Sequence, residues 1–254
     1  MIIIPSFAVS FEKGEENRLI KGLGQDEESN IISIFINKIV NPFMQKVNDD
    51  GLRIVLLQFA CLLVERASAH IQSNRKEDIR QLTTFGYSSL LHSKNYWDPS
   101  AVYNGHLLLS HIIAKLANKK SWQEVVFKVF HSLLKAHAIE ARHIVRQTLE
   151  VFMPMMPLKM NESNLSLINL TKSVIVKDGY AILQLYHVFQ VIIRHHTIYY
   201  PVRHQLLQNM IHSMQRLESS NSVDYRKLAI DIAEVIINWE LRRIKETAEI
   251  EAEE

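Results

Sequence analysis

Glycine and proline are scarce in this chain, at seven and six in 254 residues. The many tight turns of an all-β fold draw on both, so their shortage favours helices. A single cysteine, Cys61, permits no intramolecular disulfide, which fits a reducing compartment. It sits in the apolar run 52–64 and reads as a buried small hydrophobe. Charge of one sign is also missing: a formal net charge of +2 is too small for a nucleic-acid-binding arm or a polybasic membrane anchor. No apolar run reaches the ~18 residues that span a bilayer. Residues 1–11 are apolar but lack a basic n-region and contain Pro5, which makes a poor signal peptide. What is present is ordinary for a folded protein, with 47% hydrophobic and 22% charged residues, and argues against wholesale disorder.

Periodicity places helices in pairs. The first helices of successive pairs begin near Asn30, Arg75, Ser121, Asn164 and Pro201, at offsets of 45, 46, 43 and 37 residues. A ~40–47-residue helix-pair period is that of HEAT and armadillo repeats, in which no pair buries its apolar face alone. The fold expected is therefore all-α, a HEAT/armadillo-like α-solenoid of about five antiparallel helix pairs. Residues 52–64 are apolar nearly all round and predict an enclosed helix. Asp98 with Pro99, Ser121 with Glu124, Asn164 and Asp224 read as helix starts. Pro154 and Pro157 end a helix, and the methionine cluster between residues 153 and 160 reads as an inter-repeat loop with apolar anchors. No Pro/Gly/Ser-rich linker divides the chain. One segment is expected over 1–254: a partial helix and loop at 1–29, helix pairs at 30–246, and an acidic, frayed tail at 247–254. Neither end has the polar outer face of a capping repeat, so the chain reads as part of something longer.

Catalytic signatures are absent. Twelve histidines include no His-Glu-x-x-His, and one cysteine leaves no zinc-finger spacing. The histidines read instead as half-buried polar tips. Gly22-Leu-Gly24 lacks the lysine of a phosphate-binding loop, and no Gly-x-Ser-x-Gly supports a hydrolase. No cofactor, metal or small-molecule substrate is expected. An all-α enzyme with a site built from scattered histidines, or an unrelated HEAT-repeat adaptor, are the alternatives. A repeat reader of single-stranded RNA would need equivalent polar pairs in each repeat, and there are none.

Five strings carry a family resemblance. They are Ile2-Ile-Ile-Pro-Ser-Phe-Ala-Val-Ser-Phe-Glu-Lys-Gly14, Gly105-His-Leu-Leu-Leu-Ser-His-Ile-Ile-Ala-Lys115, Phe130-His-Ser-Leu-Leu-Lys-Ala-His-Ala138, Tyr199-Tyr-Pro-Val-Arg-His204 and Ala233-Glu-Val-Ile-Ile-Asn-Trp-Glu-Leu-Arg-Arg-Ile-Lys245. Together they resemble the helical-repeat region of the TRRAP (transformation/transcription domain-associated protein) family of PI3-kinase-related pseudokinases. The resemblance implies a nuclear, non-enzymatic scaffold. Its partners would be transcription activators and subunits of histone acetyltransferase complexes, with no direct nucleic-acid or membrane contact.

One local signal stands out beside it. Residues 179–217 contain no Asp or Glu but carry three arginines and five histidines. Arg194, His195, His196, Tyr199, Tyr200, Arg203 and His204 gather where the fourth pair meets the fifth. They are the candidate partner-binding residues, read as an exposed basic edge with aromatic contact area for acidic segments.

Overall fold

The computed structural model describes residues 3–13, 30–41, 49–68, 71, 76–91, 98–116, 122–136, 138–159 and 163–253. Among these no strand occurs, and the fold is all-α. A first helix, α1 (Ile3–Glu12), precedes five helix pairs. The pairs begin with α2 (Ile31–Ile34, running into a π-helical stretch at Phe35–Val40) and α3 (Asp50–Arg66). Then come α4 (Lys76–Leu91) with α5 (Pro99–Lys115), and α6 (Gln123–Leu134) with α7 (Arg142–Phe152). The last two pairs are α8 (Ser163–Asp178) with α9 (Ile182–Arg194), and α10 (Leu207–Glu218) with α11 (Val223–Glu253). By contacts the chain forms two compact units, residues 1–133 with 138–155, and residues 134–137 with 156–254.

In the first unit α5 packs against α3, α4 and α7. Enclosed on those sides, it buries every residue from 104 to 113. Its start is set as the sequence predicts: Asp98 Oδ1 accepts the Ser100 N–H at 2.7 Å, with Pro99 at the first helical position. Asp50 Oδ2 accepts the Asp98 N–H at 3.1 Å, which ties the beginnings of α3 and α5 together. Gly86 lets α4 approach α5 closely, because a Cβ there would stand 3.0 Å from Leu109 Cγ and 3.3 Å from the Gly105 carbonyl. Cys61 is buried, with its thiol pushed up by burial and 3.9 Å from the Asn104 carbonyl.

Three buried polar residues of α5, Asn104, His106 and Ser110, are satisfied within the helix or by its neighbour. Asn104 Nδ2 donates to the Ser100 carbonyl at 2.7 Å, and Ser110 Oγ donates to that of His106 at 2.8 Å. His106 Nδ1 lies 2.7 Å from the Val102 carbonyl. A carbonyl only accepts, so Nδ1 carries the proton and Nε2, 2.8 Å away, accepts from the Ser132 hydroxyl. Burial lowers the His106 pKa to about 4 and keeps the ring neutral. His106, His111 and His195 are buried rather than half-buried tips.

In the second unit α11 packs along α9 and α10. Gly179 follows α8 where a Cβ would sit 2.1 Å from the Ile175 carbonyl, so no larger residue fits without moving backbone.

Several boundaries differ from expectation. Pro201 opens a 3₁₀ stretch, Tyr200–Gln205, and α10 begins only at Leu207. Residues 153–159 hold short helical turns, Met153–Met155 and Met156–Lys159, rather than a loop, with Met153 and Met156 buried, and Met160 lies outside the described residues. Asn164 and Asp224 lie inside first turns, since α8 starts at Ser163 and α11 at Val223. The acidic end is helical, with α11 continuing to Glu253. Arg243–Glu240 at 2.6 Å, Arg242–Glu246 at 2.8 Å and Lys245–Glu249 at 3.9 Å link successive turns and relieve the repulsion that acidic composition alone implies. Ser121, His137 and residues 14–29, which carried a capping box, a bend and a loop, lie outside the described residues.

Candidate protein-interaction surface

The seven residues of the expected edge divide by exposure. Arg194 and His204 are exposed, and His196 and Arg203 are half-buried. His195, Tyr199 and Tyr200 are buried. His195 closes α9, its N–H donating to the Val191 carbonyl at 3.1 Å. His196 Nδ1 donates to the Ile193 carbonyl at 3.1 Å, and its own carbonyl accepts Trp239 Nε1 at 3.0 Å. The Tyr199 hydroxyl meets Thr171 Oγ1 at 3.0 Å inside the second unit, and burial pushes its pKa up. Neither tyrosine offers its ring to solvent. The apolar rings that looked like contact area serve the core of the unit instead.

Tyr200 shows how. Its ring lies between two guanidinium groups, Arg203 at 3.9 Å and Arg242 at 4.0 Å, and its hydroxyl donates to Glu246 Oε2. Arg203 also donates to the Tyr200 carbonyl at 2.9 Å. The cation–π contact from Arg242 and the charge-assisted hydrogen bond to Glu246 fasten the 3₁₀ stretch to α11, while Arg203 stacks on Tyr200 from within the stretch. Burial first, then the hydrogen bond to Glu246, raises the Tyr200 pKa. The same bond, with those from Arg242, holds Glu246 below the usual carboxylate range. Residues 179–217 lack acids in sequence but not in space, because α11 brings Glu246 to them. Arg216 is likewise engaged, donating to the Gly179 carbonyl at 3.0 Å and the Tyr180 carbonyl at 3.4 Å.

The exposed surface of the second unit is elsewhere. Tyr180, 81% exposed, is the outward aromatic of this region. The outer face of α10 carries Gln208, Ile211, His212 and Gln215, which with Asn209 line an open hollow of about 500 Å³. On α11, Val223, Ile230, Ile237, Leu241 and Ile244 are all exposed. Four of them recur every seven residues and Leu241 follows Ile237 by four, so they form one stripe about 30 Å long. The buried face of each helix is the other one, Met210 and Leu217 on α10 and Leu228, Ile232, Val235 and Trp239 on α11. The signal for the stripe was legible as a second apolar spacing along α11.

Among the described residues no three His, Cys, Asp or Glu side chains group to hold a metal ion. The Ser132–His106 pair has nucleophile-and-base chemistry, with His106 fully buried and Ser132 half-buried. No described helix is long and apolar enough to cross a membrane.

Comparison with known proteins places the chain. All of residues 1–254 match the model of the Tra1 HEAT repeat ring region. Transcription-associated protein 1 of Drosophila melanogaster is 53% identical over 98% of this chain, and the human transformation/transcription domain-associated protein is 47% identical over 96%. A yeast relative, described as the SAGA complex/NuA4 acetyltransferase complex subunit TRA1, is 29% identical over 78% of the chain. The chain spans only 7%, 6% and 5% of the lengths of these relatives.

Proposed function

Because the chain belongs to the Tra1 HEAT repeat ring family, we propose that it is a non-enzymatic scaffold segment of a nuclear transcription coactivator. It works through protein contacts within histone acetyltransferase complexes, with subunits of those complexes or with activators as partners. Direct nucleic-acid, membrane or small-molecule binding plays no part. The observation that carries this reading is the α11 stripe: five large apolar side chains exposed along one helix make a surface suited to a protein contact. The name of the yeast relative supports the assembly proposed.

Of the seven edge residues, we assign Arg194, His196, Arg203 and His204 to the contact rim. His195, Tyr199 and Tyr200 hold that rim from behind. Exposed charges contribute only ~0.2–1 kcal/mol each, so the rim steers a partner and the apolar stripe retains it.

Crosslinking of the intact complex, with amine-reactive reagents mapped to Lys227 and Lys245 beside the stripe, tests the reading. The scaffold role expects links from these lysines to other polypeptides of the complex. Lysines that react only with solvent, in complexes otherwise well crosslinked, would contradict it.

A further inference from the structure

We propose that the outward face of α11 receives one basic amphipathic helix of a partner polypeptide, packed along it as a two-stranded left-handed coiled coil. The inference rests on the scaffold reading and gives its apolar stripe a partner of stated chemistry.

The stripe has the spacing of a coiled-coil seam. Val223, Ile230, Ile237 and Ile244 recur every seven residues, and all are exposed. A second row follows each of them by four residues: Lys227, Glu234, Leu241 and Ala248, also exposed. Alternating steps of four and three are those of the a and d positions of a heptad. The buried residues of α11, Leu228, Ile232, Val235 and Trp239, take the opposite side, so the seam points away from α9 and α10. From Glu240 to Ala252 every residue but Glu246 is exposed, which leaves that half of the seam open along its flanks.

The period selects a helix as the occupant. On a straight α-helix a seven-residue row drifts ~20° per heptad, and a left-handed partner helix follows that drift. An extended strand repeats every two residues and gains no ladder from α11, whose backbone groups are already bonded along the helix. From Val223 to Ile244 the rise is about 30 Å, room for about three heptads of partner. Large apolar side chains at five seam positions hold it. Lys227 and Glu234 interrupt the seam with polar steps, which fix register at some cost in stability.

Charge decides which helix fits. Glu240 pairs with Arg243, Lys245 reaches Glu249, and Arg226 donates to the Ser220 carbonyl. On the seam and its edge, the side chains of Asp231, Glu234 and Glu251 have no such partner among the described residues, and neither does Lys227. Three carboxylates against one ammonium leave the seam acidic. A helix bearing Lys or Arg beside its apolar row complements it, whereas an acidic helix adds repulsion. A second copy of this chain brings the same surplus of carboxylates and fits less well.

The test uses the 254-residue chain and a fluorescein-labelled peptide of four heptads, with Leu and Ile at its seam and Lys at the flanking positions. Repulsion between those lysines keeps the peptide from pairing with itself. Two further probes carry Glu in place of Lys, or the same lysines with the seam residues scrambled. The proposal expects the basic peptide to bind and to gain helical circular dichroism on binding. Exposed pairs are each worth up to about fivefold, so the acidic peptide should bind roughly tenfold or more weakly. Ile230→Ala with Ile237→Ala should weaken the basic peptide by about tenfold or more through lost apolar burial. Asp231→Lys with Glu234→Lys should reverse the order of the basic and acidic peptides, which a merely structural role would not do. Equal binding of the scrambled peptide, tighter binding of the acidic one to the parent chain, or no binding of any peptide would each overturn the inference. So would a dimer of the parent chain that Ile237→Asp abolishes in sedimentation. The scaffold reading is scored separately, by whether full-length protein with the seam substituted still enters acetyltransferase complexes. If that protein loses its subunits while no peptide binds the parent chain, the scaffold reading stands and the helical partner does not.

Discussion

In α5, Asn104, His106, Ser110 and His111 lie inside the first unit, whereas in α11 Val223, Ile230, Ile237, Leu241 and Ile244 lie on the surface of the second. Each helix thus places residues against their usual preference, and each does so for a different reason. Asn104, His106 and Ser110 bond to carbonyls one turn away or to Ser132, so burial leaves them satisfied and they cost little. The apolar groups of α11 have no such remedy. Water contacts them along the whole stripe, and only another surface removes that cost. One helix completes a core, and the other carries an exposed apolar stripe that we propose meets a partner.

The comparison can be broken most sharply by equal truncations. Leu108→Ala, at a fully buried position of α5, should cost ~2–5 kcal/mol in urea unfolding through lost burial and a residual cavity. Ile237→Ala on the stripe should change stability by no more than ~0.5 kcal/mol. Equal losses at the two positions would mean that the stripe is part of the core.

Protonation probes α5 alone. The folded protein holds the His106 pKa at about 4 by burial, while an unfolded histidine titrates near 6.5. Between those values the unfolded state binds more protons, so stability is full above 6.5 and falls as pH drops towards 4. The loss from this group is ~3 kcal/mol at most, and His111, also lowered mainly by burial, acts in the same direction. Melting temperatures at pH 7 and pH 5 measure it. His106→Gln should lower stability at pH 7 but flatten the dependence.

Smaller effects sharpen the α11 side. Trp239→Phe removes the indole donor to the His196 carbonyl and should cost ~1 kcal/mol by thermal unfolding, more than any substitution on the stripe. Lys245→Ala breaks an exposed pair with Glu249 and should cost no more than ~0.5 kcal/mol. A larger loss would show that the charge ladder, rather than packing against α9 and α10, holds the helix.

The five helix pairs were legible because their apolar spacings and scarce breakers leave few alternatives, and Asp98 announced α5 correctly. The candidate edge was only half legible. Tyr199 and Tyr200 look like contact residues in a stretch without acids, but Thr171 and Glu246 lie 28 and 46 residues away in sequence and turn both rings inward. No local pattern reveals such partners. The acidic tail misled for the converse reason. Its composition suggests repulsion, while the arginines and lysine of residues 242–245 fall one turn from glutamates and support the helix. Tyr180 and the amide face of α10 were overlooked because uncharged polar residues carry no motif.

If the α11 stripe is a contact surface rather than part of this chain's own core, paired substitution of Ile230 and Ile237 by aspartate separates the two roles. In the 254-residue chain the Ile230→Asp, Ile237→Asp variant should keep its circular dichroism and unfold within a few degrees of the parent, since both residues already face water. In the full-length protein the same pair should sharply reduce the acetyltransferase-complex subunits that co-purify with it. Recovery of the full set of subunits, or unfolding of the isolated chain, would contradict the account.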